Sequence, residues 1–283
     1  MKILENHEMK LHSNMKVGGT AKRFITVEDK NELKEIFENN TNIFLIGNGT
    51  NTLIDEGNLN MTFVSLKEFN NIKELERGLV EVEAGLDFNK LIAYMNKNNY
   101  SGLENLAGIP GSVGGLVYMN GGAYGSEIFD CISEIEVFDE NHEIRRIKKE
   151  DLDFSYRRTE IQSRKWIIIS AVFRFKDGFD LRKVIEIQAL RESKQPLDLP
   201  NLGSTFKNPD GDFSARLISE AGLKGTVIGG AQISEKHPNF IVNRGTATFK
   251  DISEILKLVK RTISEKYGIN LEEEIIIIKN SDK

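Results

Sequence analysis

Apolar residues recur along this chain with two different spacings. Spacing of three and four residues, which is typical of amphipathic helices, occurs over residues 33–37, 88–95, 181–189 and 252–263. Continuous or β-branched apolar segments, which are typical of buried strands, occur over residues 43–46, 79–84, 132–138, 143–147, 166–175 and 275–278. Because both kinds alternate throughout the chain, we predict an α+β architecture in both halves.

Polar residues and one glycine mark where three of the helices begin or end. We interpret Asp87 and Ser214 as N-caps, because short polar side chains accept hydrogen bonds from the first free N–H groups of a helix. Asp251 and Glu254 have the spacing of a capping box. Gly268 follows the last helical stripe, where a residue with left-handed backbone is expected.

Length and composition narrow the class of protein. At 283 residues two domains are expected, and we place them at 1–180 and 181–283, with the last strand able to return to the first domain.

No apolar run approaches the roughly 20 residues of a membrane helix, and a net charge of −5 argues against broad nucleic-acid binding. The single cysteine, Cys131, excludes internal disulfides and fits a cytoplasmic location. No Cys or His pair has metal-ligand spacing, so no metal is expected.

Residues 105–125 form a glycine-rich segment around which we expect the chain to be organised. It contains seven glycines, interleaved with apolar residues that a solvated linker lacks. Glycine in an ordered segment usually serves a positive φ angle or a close approach of the backbone to another group. We therefore predict that this segment contacts a cofactor.

A second glycine-containing turn, Gly47 to Asn51, directly follows a predicted buried strand. The dinucleotide-binding fingerprint requires a third glycine and a following helix. Here Thr52 to Ile54 looks extended instead, so we reject that fold. Backbone N–H groups of such a turn can form an anion-binding nest, although plain hairpin chemistry explains the same residues equally well.

Four other segments carry side chains suited to chemistry. Arg157 and Arg158 lie between strand-like segments, where neighbouring side chains face opposite ways, and arginine suits the bidentate binding of a carboxylate. Residues 202–209 gather hydroxyls, a lysine and an amide in one irregular segment. His237 lies where a turn enters a strand, and Glu274 leads into the final apolar run. Taken singly, each is also compatible with an ordinary polar surface or a structural histidine.

Read in order, these pieces resemble the UDP-N-acetylenolpyruvoylglucosamine reductase family over nearly the whole chain. Single motifs are weak evidence, but the ordered set is highly specific. The motifs that carry the resemblance are residues 16–19, 47–53, 109–125, 156–157, 203–209, 222–225, 234–243 and 271–275.

The resemblance implies a FAD-binding domain of the vanillyl-alcohol oxidase-like (PCMH) type, followed by a smaller α+β substrate-binding domain. FAD would be bound without a covalent link, and NADPH would be the co-substrate. The residues that match the family's flavin-binding positions are Gly47, Asn48, Gly49, Thr50, Asn51, Pro110, Gly111, Ser112, Gly114, Gly115, Asn120, Gly121, Ala123 and Tyr124.

The family's reaction implies three catalytic residues here, Arg157, Ser204 and Glu274. Hydride would pass from NADPH to FAD and on to UDP-N-acetylglucosamine enolpyruvate, giving UDP-N-acetylmuramate for bacterial peptidoglycan. Ser204 would protonate the resulting enolate, which Arg157 and Glu274 would stabilise. The matching substrate positions are Arg191, Lys194, Asn208 and His237, with Lys207 as a further candidate.

Three features depart from the family pattern. The chain resembles the short type that lacks a tyrosine-bearing insertion, Glu273 stands where proline usually precedes the catalytic glutamate, and Arg216 stands where an aromatic residue is common. Two other functions remain as alternatives: an oxidase or dehydrogenase on the same fold with another substrate, and a nucleotide-sugar binding module without chemistry. A monomer is expected.

Overall fold

The computed structural model describes residues 1–280. The α-helices are α1 Glu32–Asn39, α2 Phe88–Asn98, α3 Val113–Tyr118, α4 Glu160–Arg164, α5 Leu181–Lys194, α6 Ser214–Glu220 and α7 Phe249–Tyr267. The strands in the first half are β1 Lys2–Glu8, β2 Thr20–Thr26, β3 Ile43–Leu45, β4 Thr52–Ile54, β5 Asn58–Ser65, β6 Ile72–Glu76, β7 Leu79–Glu83, β8 Tyr100–Ser101, β9 Gly122–Ala123 and β10 Ser126–Glu127. The later strands are β11 Ile132–Phe138, β12 Ile144–Lys148, β13 Phe154–Ser155, β14 Arg158–Thr159, β15 Ile167–Arg174, β16 Lys176–Asp177, β17 Val227–Ile228, β18 Ala231–Ile233, β19 Ile241–Asn243 and β20 Ile276–Ile278.

The chain divides into two compact units, each built from several segments. The first unit comprises Met1–Glu5, Arg23–Asn48 and Met61–Leu190. The second comprises Asn6–Lys22, Gly49–Asn60 and the chain from Arg191 onward. A four-stranded sheet has the order β1-β2-β5-β3, and its β3 and β5 run parallel.

The first unit is organised around a five-stranded sheet in the order β12-β11-β15-β7-β6, in which every pair is antiparallel. Its central strand β15 is buried over seven of its eight residues, which explains the β-branched apolar run predicted there. Helix α2 packs against the same core through Phe88, Leu91 and Met95, each fully buried.

The second unit has a smaller sheet, β17-β18-β19, and a separate parallel pair, β20 with β4. Helix α7 contributes the apolar stripe predicted from the sequence, with Ile252, Ile255, Val259 and Ile263 all buried in the core of this unit. The pairing of β20 with β4 joins the end of the described chain to the segment that follows the Gly47 to Asn51 turn.

The predicted helix caps are partly correct. Asp87 caps α2 as expected, because its carboxylate accepts a hydrogen bond from the Asn89 N–H at 3.0 Å. The capping box of α7 was predicted at Asp251 and Glu254, which is wrong: Thr248 is the N-cap and Asp251 is its reciprocal partner. Both pairs have the same three-residue spacing, so the local pattern fits either choice.

The prediction that Ser214 caps α6 is also wrong. Ser214 is the first helical residue, and Phe213 occupies the cap position without a side-chain hydrogen bond. The Ser214 hydroxyl instead donates to the carbonyl of Lys207 at 2.5 Å, and its N–H donates to Oδ1 of Asn208 at 3.1 Å. The start of α6 is therefore fastened to the irregular segment that contains Ser204.

Candidate active site

Most residues of the glycine-rich segment of the first unit are buried or half-buried. Its centre forms helix α3, and the Ser112 hydroxyl caps this helix by accepting from the Gly115 N–H at 3.3 Å. Gly114 lies so close to Ala84 that an added Cβ would stand 2.8 Å from the Ala84 Cβ. Gly111 has a φ of +142°. These glycines therefore serve close approach and positive φ, as expected of glycine in an ordered segment.

The beginning of the Gly47 to Asn51 turn packs against the same segment within the first unit. A Cβ on Gly47 would lie 2.8 Å from the Ser112 hydroxyl. The Asn48 amide donates to the Asp87 carboxylate at 3.3 Å, and Asp87 pairs with Ser112 in an isolated antiparallel bridge. The structure thus brings Gly47 and Asn48 together with residues of the 105–125 segment.

The end of the glycine-rich segment is a tight hairpin. Ala123 pairs with Ser126, which leaves Tyr124 and Gly125 as a two-residue loop with φ angles of +50° and +78°. Asn120, just before the hairpin, also has a positive φ, and its amide donates to Glu127 at 2.7 Å and to the Ser155 carbonyl at 3.0 Å. These contacts fix the Asn120 side chain in one orientation.

Arg157 contacts this hairpin directly. Its guanidinium donates to the carbonyl of Asn120 at 3.3 Å and to that of Gly122 at 2.7 Å, and it lies 4.9 Å above the Tyr156 ring. Arg157 does not have the strand geometry expected for it: it lies in the two-residue turn between β13 and β14 with a φ of +54°. The first unit therefore holds the predicted catalytic arginine among the predicted flavin-binding residues.

Within the second unit, backbone hydrogen bonds bring the segments of Ser204 and Glu274 together. The Glu274 N–H donates to the Thr205 carbonyl at 2.8 Å. Phe206 pairs with Glu273 in an isolated antiparallel bridge. Because Ser204 precedes Thr205 directly, two residues predicted to be catalytic lie on neighbouring backbone segments. Both are half-buried.

Asn51 connects the glycine turn to the Glu274 segment. Its side-chain amide donates to the Glu274 carbonyl at 3.1 Å, and its own carbonyl accepts from the Ile276 N–H at 2.9 Å. Gly49 lies in the same unit with a φ of +63°, where a Cβ would collide with the His12 carbonyl oxygen. One side-chain N–H of Asn51 thus donates to the protein backbone. Thr50 lies between Gly49 and Asn51 in the chain.

Asn239 supports the Ser204 segment and was not singled out from the sequence. Its side-chain oxygen accepts from the Phe206 N–H at 3.0 Å, and its amide donates to the Phe206 carbonyl at 2.8 Å. The Thr205 N–H donates to the Asn239 carbonyl at 2.8 Å. All these contacts are buried. No local sequence pattern predicts these hydrogen bonds, because Asn239 follows Phe206 by 33 positions.

The predicted substrate residues of the second unit occupy different environments. Arg191 is buried, Lys194 and Asn208 are exposed, and His237 is half-buried with its ring 4.7 Å from that of Phe240. Burial lowers the pKa of His237, and the positive charge of Lys194 lowers it further. His237 therefore favours its neutral form. Its Nδ1 atom is buried and has no hydrogen-bond partner within residues 1–280.

The residues of the first unit fit a bound flavin. Oδ1 of Asn120 is buried and lacks a hydrogen-bond partner in the described part of the chain, so it is available to a donor on a cofactor. Pro110 and Gly115, which precede Asn120 in the same glycine-rich segment, are exposed. Residues 1–280 contain no cluster of three or more His, Cys, Asp or Glu side chains suited to a metal. In the same residues, no helix combines the length and the apolar character that a membrane span requires.

Comparison with known proteins identifies both parts of the chain. A family model described as a FAD binding domain matches residues 21–148, and that of the UDP-N-acetylenolpyruvoylglucosamine reductase C-terminal domain matches residues 195–278. These two domains define a flavin-dependent oxidoreductase.

The UDP-N-acetylenolpyruvoylglucosamine reductase of Fusobacterium nucleatum subsp. nucleatum is 59% identical over 281 residues, which cover 99% of this chain and 100% of the relative. That of Caldanaerobacter subterraneus is 37% identical over 284 residues, covering 98% of this chain and 94% of the relative. The crystal structure of the Thermus caldophilus enzyme matches with a TM-score of 0.83 and 32% identity, covering 98% of each chain. The chain belongs to the UDP-N-acetylenolpyruvoylglucosamine reductase family, and the predicted family and fold class are confirmed.

Proposed function

We propose that this protein reduces UDP-N-acetylglucosamine enolpyruvate to UDP-N-acetylmuramate, with NADPH as the reductant and FAD as the cofactor. Membership of the reductase family supports this reaction, which serves bacterial peptidoglycan synthesis. The observation that carries the proposal is the hydrogen bond between Glu274 and Thr205, because it fixes the backbone of Ser204 beside that of Glu274. A nucleotide-sugar binding module without chemistry would not require that pairing.

We propose that FAD is held without a covalent bond by residues of the glycine turn and of the glycine-rich segment. These are Gly47, Asn48, Gly49, Thr50, Asn51, Pro110, Gly111, Ser112, Gly114, Gly115, Asn120, Gly121, Ala123 and Tyr124. When bound, FAD supplies hydride that it has accepted from NADPH. The buried Asn120 Oδ1 supports this assignment, as do the glycines whose backbone approaches its neighbours closely.

The chain's own residues then have three chemical tasks. Addition of hydride to the enolpyruvyl methylene carbon leaves negative charge on the neighbouring carbon and its carboxylate. Arg157, fixed by two carbonyl groups, would neutralise part of that charge, and Glu274 in its protonated form would donate a hydrogen bond to it. The Ser204 hydroxyl would give its proton to the carbon that bears the carboxylate and regain one from water. Positioned proton transfer of this kind typically contributes about 10² to 10⁴ in rate.

Binding of the substrate is proposed for Arg191, Lys194, Asn208 and His237. The diphosphate and the carboxylate of the substrate call for cations, which Arg191 and Lys194 supply near the end of α5. The lowered pKa of His237 keeps its ring neutral, which suits hydrogen bonding to an uncharged sugar hydroxyl. Asn208 already accepts from Ser214, so its amide nitrogen is the part proposed to reach the substrate.

The proposal is tested by measuring the two half-reactions separately in a Ser204→Ala variant. We expect anaerobic reduction of FAD by NADPH to stay near the wild-type rate, and the subsequent reduction of the enolpyruvyl substrate to slow by about 10² to 10⁴. Ser219→Ala removes an exposed hydroxyl on α6 and serves as the matched control. Equal loss in both half-reactions would contradict the role of Ser204.

We also propose a functional division into a FAD-binding part, residues 1–180, and a substrate-binding part, residues 181–283. The two family models, at 21–148 and 195–278, lie on either side of this division. The protein is proposed to act as a cytoplasmic monomer. Light scattering of the purified holoprotein tests the monomer, and fractionation of cells that produce the tagged chain tests the location.

A further inference from the structure

Lys260 of helix α7 makes a two-point contact with the residue that precedes Glu274. Its ammonium lies 2.9 Å from one carboxylate oxygen of Glu273 and 2.8 Å from the other. The Glu273 side chain is 25% exposed and that of Lys260 is 43% exposed, so the pair is partly shielded from water. Within residues 1–280, Glu273 forms a side-chain ion pair with Lys260 alone.

Helix α7 provides a rigid support for this contact. It has 19 residues, and Val259, which directly precedes Lys260, is buried in the core together with Ile255 and Ile263. The helix is also fixed at both ends, by the Thr248 capping box and by Gly268 in the left-handed conformation. Lys260 therefore ties the Glu273 segment to an element that itself has little freedom to move.

The other contacts of this segment either hold its backbone or lie at the exposed surface. The Glu274 N–H donates to Thr205 and its carbonyl accepts from Asn51. The neighbouring Glu272 pairs with Lys207 at 2.6 Å, but the Glu272 side chain is 72% exposed. An exposed pair of this kind is screened by water and salt. The contact between Lys260 and Glu273 is consequently the one that holds a side chain of this segment against helix α7.

We propose that Lys260 is a positioning residue for Glu274, and that this inference rests on the catalytic role proposed for Glu274 above. By holding Glu273 against α7, Lys260 sets the orientation of the peptide from which the Glu274 side chain projects. It also balances one negative charge in a run of three consecutive glutamates. Removing Lys260 would leave this peptide held by its backbone hydrogen bonds alone, and it would leave an unbalanced charge beside Glu274.

The first test compares Lys260→Met with Lys257→Met, which removes an exposed lysine from the same helix. We expect Lys260→Met to lower kcat for reduction of the enolpyruvyl substrate about tenfold, because small displacements of a reacting group are costly. FAD reduction by NADPH should remain unchanged, as should both reactions in the control. Lys260→Arg, which keeps the positive charge, should retain most of the wild-type kcat. Wild-type kcat in Lys260→Met, or an equal loss in both half-reactions, would overturn the proposal.

A second test asks whether Lys260 acts through Glu274. In a Glu274→Gln background, Lys260→Met should cause no further loss in single-turnover reduction of the substrate, since the group that it positions is already gone. A further tenfold loss in the double variant would overturn the inference while leaving the function intact. If Glu274→Gln alone reduces the substrate at the wild-type rate, the catalytic role of Glu274 fails instead, and that outcome is distinct from a failure at Lys260.

Discussion

Replacement of Asn239 by alanine should loosen the segment that carries Ser204. Asn239 is 4% exposed, and its side chain pairs with both the N–H and the carbonyl of Phe206. Alanine would leave these two buried backbone groups without partners, and each such group costs about 1–3 kcal/mol. With partial relaxation, we expect a local destabilisation of about 2–4 kcal/mol. Reduction of the enolpyruvyl substrate should slow, because Ser204 is two residues from Phe206 in the chain.

Native-state hydrogen exchange followed by mass spectrometry is the appropriate assay, because it reports on the segment itself. The single tryptophan, Trp166, lies in the first unit and would report on the wrong part of the chain. Peptides that cover residues 203–208 and 271–276 should exchange faster in Asn239→Ala. Asn270→Ala, which removes an exposed amide from the same unit, is the control and should change stability by less than about 0.5 kcal/mol. Exchange and turnover in Asn239→Ala that both match this control would refute the reasoning.

Three further results are expected. Arg157→Lys should lower kcat for substrate reduction at least about tenfold, because an ammonium cannot hold two carbonyls and a substrate carboxylate as the planar guanidinium can; near-wild-type turnover would remove Arg157 from the site. Cys131 should react very slowly with a thiol reagent at pH 8 until the protein unfolds, since burial raises its pKa to about 11; rapid native labelling would contradict this. Because the pKa of His237 is lowered in the folded protein, the unfolded chain binds the proton first as the pH falls, and the free energy of unfolding should decrease below about pH 6.5. In denaturation series at several pH values, His237→Gln should make that decrease less steep. An unchanged slope would show that His237 does not contribute.

Sequence pattern predicted the elements whose signals are local. The start of α2 follows from Asp87 and an apolar stripe, and both lie within a few residues of each other. The strand around Ile168 follows from a β-branched apolar run. Helix α3 was not predicted, because glycines disfavour a helix, and only burial of Val113 and Val117 against the core makes it stable.

In the candidate site, too, local sequence signals predicted some features, and the others depend on contacts in the folded chain. Ordered motifs indicated Arg157, Ser204 and Glu274, since each motif is contiguous in the chain. The groups that hold these residues are distant in sequence: Asn239 acts on Phe206, and Lys260 acts on Glu273. Spacing alone cannot reveal such pairs, because only the folded chain brings them into contact.

The most direct test of the central claim is anaerobic stopped-flow absorbance of the FAD band in the purified holoprotein. The protein is first reduced with NADPH and then mixed with UDP-N-acetylglucosamine enolpyruvate. Rapid reduction by NADPH, followed by rapid reoxidation on mixing, is the predicted result. A flavin that remains reduced after mixing and is reoxidised only when oxygen is admitted would contradict the account and favour an oxidase on the same fold.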